Sequence, residues 1–168
     1  MDSTAVGRDE FTAIMAAFPT GVAVVTTLDA AGAPKGFATN AVTSVSAEPP
    51  LLLVCVDRTS RTLPSLLARG AFCVNFLKDG RHEICRKFAS KCDDKFEEIA
   101  WMTVGSGLPL LTEDSLAHAE CVTESIIEAG DHLIVIGRVV AGRPPAEEER
   151  PLAYYRRCYG QFAPCARP

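Results

Sequence analysis

Apolar residues in this chain fall mostly in short β-branched runs rather than at helical spacing. Runs at 21–28 (GVAVVTTL), 42–46 (VTSVS), 71–77 (AFCVNFL), 118–129 (HAECVTESIIEA) and 132–142 (HLIVIGRVVAG) predict strands, with a further strand near 35–40 after a turn at 29–32. The run LLLVCV (51–56) is continuously apolar and predicts a strand buried on both faces. Helical spacing occurs in 9–18, through Phe11, Ile14, Met15 and Phe18, and in 60–69, through Leu63, Leu66 and Leu67 with Ser60 as its cap. Segments 81–89 and 93–99 read as two more short helices. Gly130-Asp131 predicts a tight hairpin turn, 142–150 a charged proline-bearing loop, and 151–162 an aromatic tail that returns to the body. Strands joined by short turns imply antiparallel pairing, and a barrel closes exposed edges economically, with the helices over its ends.

Composition narrows the class. At 168 residues, 48% hydrophobic and 23% charged, the chain reads as one globular domain, with 1–8 and 163–168 as flexible tails. A net charge of −4 argues against general nucleic-acid binding. No apolar stretch is long enough to span a membrane, and the polar, acidic start reads as neither signal nor transit peptide, so a cytoplasmic location is expected. Seven cysteines then read as reduced thiols, and without CxxC or paired-His spacing no metal is expected.

The chemistry concentrates in 36–62. Small hydroxyl and amide side chains at 38–46 offer donors with little bulk, as a flat polar ring system needs; a solvent-facing edge strand is the alternative. The cluster DRTSRT (57–62) offers hydroxyls, positive charge and a helix start, as a phosphate needs, although taken alone it is more simply read as Ser60 capping a helix with Arg58 and Arg61 solvated. FASK (88–91) is a second phosphate candidate. Gly130-Asp131-His132 places one histidine beside an aspartate, as a functional pair or as turn chemistry. The tail YYRRCYG sets aromatic rings beside arginines, suited to a nucleotide base or to closing a core. GxGxxG, GxxxxGK[ST] and GxSxG are all absent, so a nucleotide must be held without the usual dinucleotide or P-loop fingerprint.

In order and spacing, FPTGVAVVTT (18–27), GFATNAVTSVSAEPPLLLVCVDRTSRT (36–62), FCVNFL (72–77), KFAS (87–90), GLPLL (107–111), AGDHLIVIGRV (129–139) and PLAYYRRCYG (151–160) resemble the flavin reductase-like family. These are the short-chain NAD(P)H:flavin oxidoreductases that serve two-component monooxygenases. The resemblance implies a mainly β, homodimeric split β-barrel with peripheral helices. It also implies hydride transfer from NADH or NADPH to free FAD or FMN, and delivery of reduced flavin to a separate monooxygenase. A non-catalytic flavin- or haem-binding module on the same barrel is the alternative. On this resemblance Thr39, Asn40 and Ala41 line the flavin ring, and Cys55, Val56 and Asp57 continue that contact. Ser60, Arg61 and Thr62 hold the phosphate, and Phe88, Ala89, Ser90 and Lys91 close over the ribityl chain. His132, the catalytic candidate, lies near the nicotinamide, with Asp131 beside it among the cofactor-binding residues, Tyr155 and Tyr159 nearby and Pro19, Thr20 and Gly21 at the rim. The ring segment in the family more often reads TANS or TSNS, so Ala41 lacks a hydroxyl.

Overall fold

In a computed structural model of the chain, residues 5–163 are described; the rest of the two expected tails, 1–4 and 164–168, lies outside them. The elements run α1 (Arg8–Ala16), β1 (Thr20–Gly21), β2 (Ala23–Leu28), β3 (Pro34–Thr39), β4 (Val42–Ser46), β5 (Leu51–Asp57), α2 (Leu63–Arg69), β6 (Ala71–Leu77) and α3 (His82–Ala89). They continue as β7 (Trp101–Thr103), β8 (Pro109–Leu111), β9 (Ser115–Ala129), β10 (His132–Arg143), β11 (Leu152–Tyr155) and β12 (Cys158–Gln161).

Seven strands form one sheet in the order β3-β2-β6-β9-β10-β5-β4, every pair antiparallel. Its two edge strands, β3 and β4, are consecutive in the chain and only residues 40–41 separate them. A two-residue link cannot cross a flat seven-stranded sheet, so the sheet curls until its edges meet. No ladder joins β3 to β4 among the described residues, which leaves the barrel split there. The inner cluster gathers Val25, Leu52, Val54, Val56, Leu66, Phe72, Val74 and Val135. A second cluster outside β2 gathers Val22, Val24, Leu77, Cys85, Phe88 and Leu152 beneath α3 and the β11–β12 hairpin. Because β2 feeds both clusters, five of its six residues are buried. Asn75 ties the layers together: its amide donates to Val24 O at 3.0 Å, and its carbonyl accepts from Leu111 N at 2.9 Å.

Several expectations need correction. Helix 9–18 ends at Ala16, because the residue before Pro19 is pushed out of the α region. No α1 residue is buried, and Phe11, Ile14, Met15 and Phe18 are 55%, 56%, 48% and 64% exposed. Strand β5 alternates instead of burying both faces: Leu52, Val54 and Val56 point inward, while Leu51, Leu53 and Cys55 stay half-buried. Helix 60–69 starts only at Leu63, since Pro64 is tolerated in the first turn and nowhere deeper, so Ser60 is not its cap. Segment 93–99 forms turns rather than a helix. The small β7–β8 hairpin has no counterpart in the pattern of the sequence, and the aromatic tail is a hairpin that adds to β1.

Candidate active site

A cleft of about 490 Å³ opens around the 40–41 link, within the range of small-molecule sites. Phe37 to Ala41 form one wall, and Cys55 and Asp57 at the end of β5 face them. Thr59, Ser60 and Arg61 follow on, while Phe88 to Lys91 at the end of α3, with Lys95, close the opposite side. His132 enters from the first position of β10, directly across the ladder from Asp57.

Gly36 on β3 brings these segments together. Its carbonyl accepts the Thr62 hydroxyl at 3.0 Å and the Lys95 ammonium at 3.2 Å. Lys95 also donates to Phe88 O at 2.8 Å, so one side chain ties β3 to the end of α3. A Cβ on Gly36 would stand 2.8 Å from the Phe88 ring and 3.1 Å from Val25 O, so only glycine lets that ring lie on the strand. Burial lowers the pKa of Lys95, because the half-buried ammonium gives up part of its solvation.

The end of β5 is stitched to the β9–β10 turn. Arg58 N donates to Asp131 O at 3.0 Å, and its guanidinium donates to Gly130 O at 3.1 Å and pairs with Glu128 at 3.0 Å. Gly130 has φ 60, the left-handed conformation suited to the first residue of a two-residue hairpin turn. The Asp57 carboxylate accepts both Thr59 N–H and its hydroxyl, at 2.7 Å each; these bonds, with His132 and Lys91 nearby, hold its pKa below 3.8. Asp131 meets His132 Nδ1 at 2.7 Å, and that contact lowers the Asp131 pKa as well. Two carboxylates therefore stay ionised beside His132 across the neutral range. Arg61 pairs with Asp93 at 2.7 Å and donates to Lys91 O at 2.7 Å, which fixes its guanidinium at the cationic end.

The residues singled out in the sequence are not all in this cleft. Thr39, Asn40, Ala41, Cys55, Asp57, Ser60, Arg61, Phe88, Ala89, Ser90, Lys91 and His132 line it. Val56 points into the core, and Thr62 turns its hydroxyl to Gly36, lining an adjoining cavity instead. Pro19, Thr20 and Gly21 line a neighbouring cavity that shares Asn40, whose amide donates to Thr20 Oγ1 at 3.3 Å. Asp131 does not line the cleft; its carboxylate meets the His132 ring instead. Tyr159 and Tyr154 line a groove beside Thr39, whereas Tyr155 is exposed under Arg156 and lines none of these cavities. The Ala41 N–H donates to Thr39 Oγ1 at 3.0 Å and its carbonyl accepts Cys55 N–H at 3.0 Å, so both its backbone groups are engaged within the fold. Lys95, Thr59, Phe37 and Ala38 line the cleft without having been singled out; Lys95 was hidden inside the segment read as a helix.

Comparison with known proteins decides the family: a model of the flavin reductase like domain matches residues 15–163. The chain belongs to the flavin reductase-like family. It is 48% identical over 158 residues to a flavin reductase (NADH) of Kitasatospora aureofaciens, covering 94% of this chain and 83% of that protein. A reductase subunit of a flavin-dependent monooxygenase from Rhodococcus jostii is 40% identical over 160 residues, covering 95% and 80%. The solved NADH:FAD oxidoreductase of Streptomyces globisporus, in complex with NAD and FAD fragments, superposes with a TM-score of 0.89 at 32% identity, covering 98% of this chain and all of that one.

The residues present fit a flavin. Arg61, Lys91 and Lys95 give one end of the cleft positive charge, with the Ser60 hydroxyl beside them, as a phosphate would need, and Thr39, Asn40 and Cys55 give the other end the shape and polar edges that would suit a ring. Removing the tie beneath them tests how far the site rests on Lys95. In Lys95→Met, two carbonyls lose a charged donor, and urea unfolding is expected to show a loss of about 1–2 kcal/mol. An unchanged midpoint would show that the tie carries no weight.

Proposed function

We propose that this chain is an NAD(P)H:flavin oxidoreductase, using NADH and FAD by preference, that passes reduced flavin to a separate flavin-dependent monooxygenase. The observation carrying this reading is the single cleft that joins a cationic end to a small, polar, ring-sized end with His132 at its mouth. The names of the relatives support it: one is a flavin reductase (NADH) and another a reductase subunit of a monooxygenase. The neighbour with NAD and FAD fragments supports the choice of cofactors. No helix among the described residues is long and apolar enough to cross a membrane, and we place the protein in the cytoplasm.

Hydride acceptance is the chemistry that a flavin supplies when bound. The chain's own residues hold and align. Ser60, Arg61 and Lys91 bind the phosphate, and the walls at Thr39–Asn40 and Cys55 exclude water from the ring end. His132, fixed by Asp131 and set opposite Asp57, positions the nicotinamide instead of donating a proton. Alignment of two bound reactants is worth ~7–11 kcal/mol of barrier, so no acid–base pair is required for a large rate gain.

The protein acts as a homodimer in this reading. Helix α1 and the residues just beyond it turn Phe11, Ile14, Met15 and Phe18 toward water, which is costly for a monomer, and a second copy covers them. Sedimentation is expected to give twice the 18.0 kDa chain mass, and a species at the chain mass would contradict this assignment.

Initial rates of NADH and NADPH oxidation with FAD and with FMN test the activity. The fastest of the four pairs is expected to be NADH with FAD, and His132→Ala is expected to lower kcat/KM for NADH roughly tenfold with flavin affinity nearly unchanged. Rates no faster than the uncatalysed background for all four pairs would overturn the proposal in favour of a flavin-binding module. Equal losses in both parameters would assign His132 to the flavin site or the fold.

A further inference from the structure

Lys95 has an unused donor at the cationic end of the cleft. Its Nζ bonds Phe88 O at 2.8 Å and Gly36 O at 3.2 Å, and no third acceptor meets it among the described residues. An ammonium has three N–H donors, whereas a neutral amine has two and a lone pair. The neutral form therefore keeps both carbonyl bonds and gives up only the third proton. Burial lowers the pKa of Lys95 toward that form, and the charge of Arg61 acts in the same direction.

The other four lysines of the chain are placed differently. Lys35 pairs with Asp29 at 3.5 Å, Lys78 pairs with Glu149 at 3.0 Å, and Lys87 donates to Glu97 O. Lys91 is exposed at the same end of the cleft as Lys95. Lys95 lines both the cleft and the adjoining cavity of about 200 Å³, and so does Arg61. Arg61 spends only Nη1 on Asp93 and Lys91 O, which leaves Nε and Nη2 for an anion.

A desolvated amine fixed beside other cations is the setting of a nucleophilic lysine. Cations that suit a phosphate select an electrophile whose reactive carbon lies close to one. Acyl phosphates meet that requirement most directly, because the phosphate is bonded to the carbonyl and is itself the leaving group. Arg61 and Lys91 then neutralise the charge that grows on it as it departs.

We propose that Lys95 is an acylation site for small acyl phosphates. The Nζ lone pair attacks the carbonyl carbon, an N–C bond forms, the acyl C–O bond breaks, inorganic phosphate leaves and one amine proton passes to water. The amide produced has no charge and a single N–H, so it serves at most one of the two carbonyls and loosens the tie between β3 and the end of α3. The site itself needs only the cationic end. Its consequence, weaker flavin binding, rests on the oxidoreductase reading.

Wild-type protein treated with acetyl phosphate over a range of pH, with the modified lysines quantified by peptide mass spectrometry, tests the proposal. Lys95 is expected to be acetylated roughly tenfold faster than Lys35 and Lys78, and faster than Lys91, with a rate that levels off at lower pH than that of Lys91. Inorganic phosphate and FMN are each expected to slow Lys95. With p-nitrophenyl acetate, which carries no phosphate, inorganic phosphate is expected to protect it far less. FAD affinity is expected to fall in step with acetyl occupancy at Lys95. Acetylation of Lys95 no faster than that of Lys91, or a rate that inorganic phosphate leaves unmoved, overturns the site. Unchanged FAD affinity at full occupancy overturns its consequence. Failure of the untreated protein to oxidise NADH with any flavin contradicts the activity, whereas the acetylation rates decide the site by themselves.

Discussion

The site depends on the close approach of the Phe88 ring to the backbone of Gly36. Three segments far apart in the chain must converge to make the cleft: β3 with its link, the turn after β5, and the end of α3 with the residues beyond it. Gly36 meets all three. Its carbonyl takes the Thr62 hydroxyl and the Lys95 ammonium, and its missing Cβ leaves the space that Phe88 fills. A half-buried ammonium costs solvation free energy, which the two carbonyls it bonds offset.

A second constraint, independent of the first, fixes the other side. Arg58 holds the Gly130-Asp131 turn against the end of β5, so His132 stands across from Asp57 by sheet register rather than by loop conformation. Groups placed by a ladder are held more rigidly than groups on free loops. The split between β3 and β4 supplies the opening, and the ladders on either side supply the walls. Binding and alignment, the two things asked of the protein when a cofactor carries the chemistry, both follow from that arrangement.

Much of the fold was legible because its signals are local. The strands at 42–46 and 71–77 have the ends read from their β-branched and apolar runs, and the Gly130-Asp131 turn lies where glycine demands it. What was missed depends on distant partners. Phe96 and Ile99 share helical spacing, yet the segment folds as turns, with Lys95 bonded to Gly36 and Phe88 and Lys87 donating to Glu97 O. Ser60 has the chemistry of a cap, but Pro64 sets the helix start three residues later. LLLVCV looked buried on both faces because apolarity does not reveal that Leu51, Leu53 and Cys55 stay half-exposed, with Cys55 at the cleft. In the tail, Tyr154 and Tyr159 face inward and Tyr155 does not, a choice made by the hairpin's register.

The claim at the centre is that the Gly36 contact organises the flavin site and not only the core. A titration of FAD into Gly36→Ala, beside wild type, with urea unfolding of both, tests it most directly. An added methyl 2.8 Å from the Phe88 ring must displace that ring and the end of α3 with it. The account predicts a cooperatively unfolding protein, destabilised by about 1–3 kcal/mol, whose FAD affinity has fallen at least roughly tenfold. Wild-type FAD affinity in a variant destabilised to that extent would contradict it.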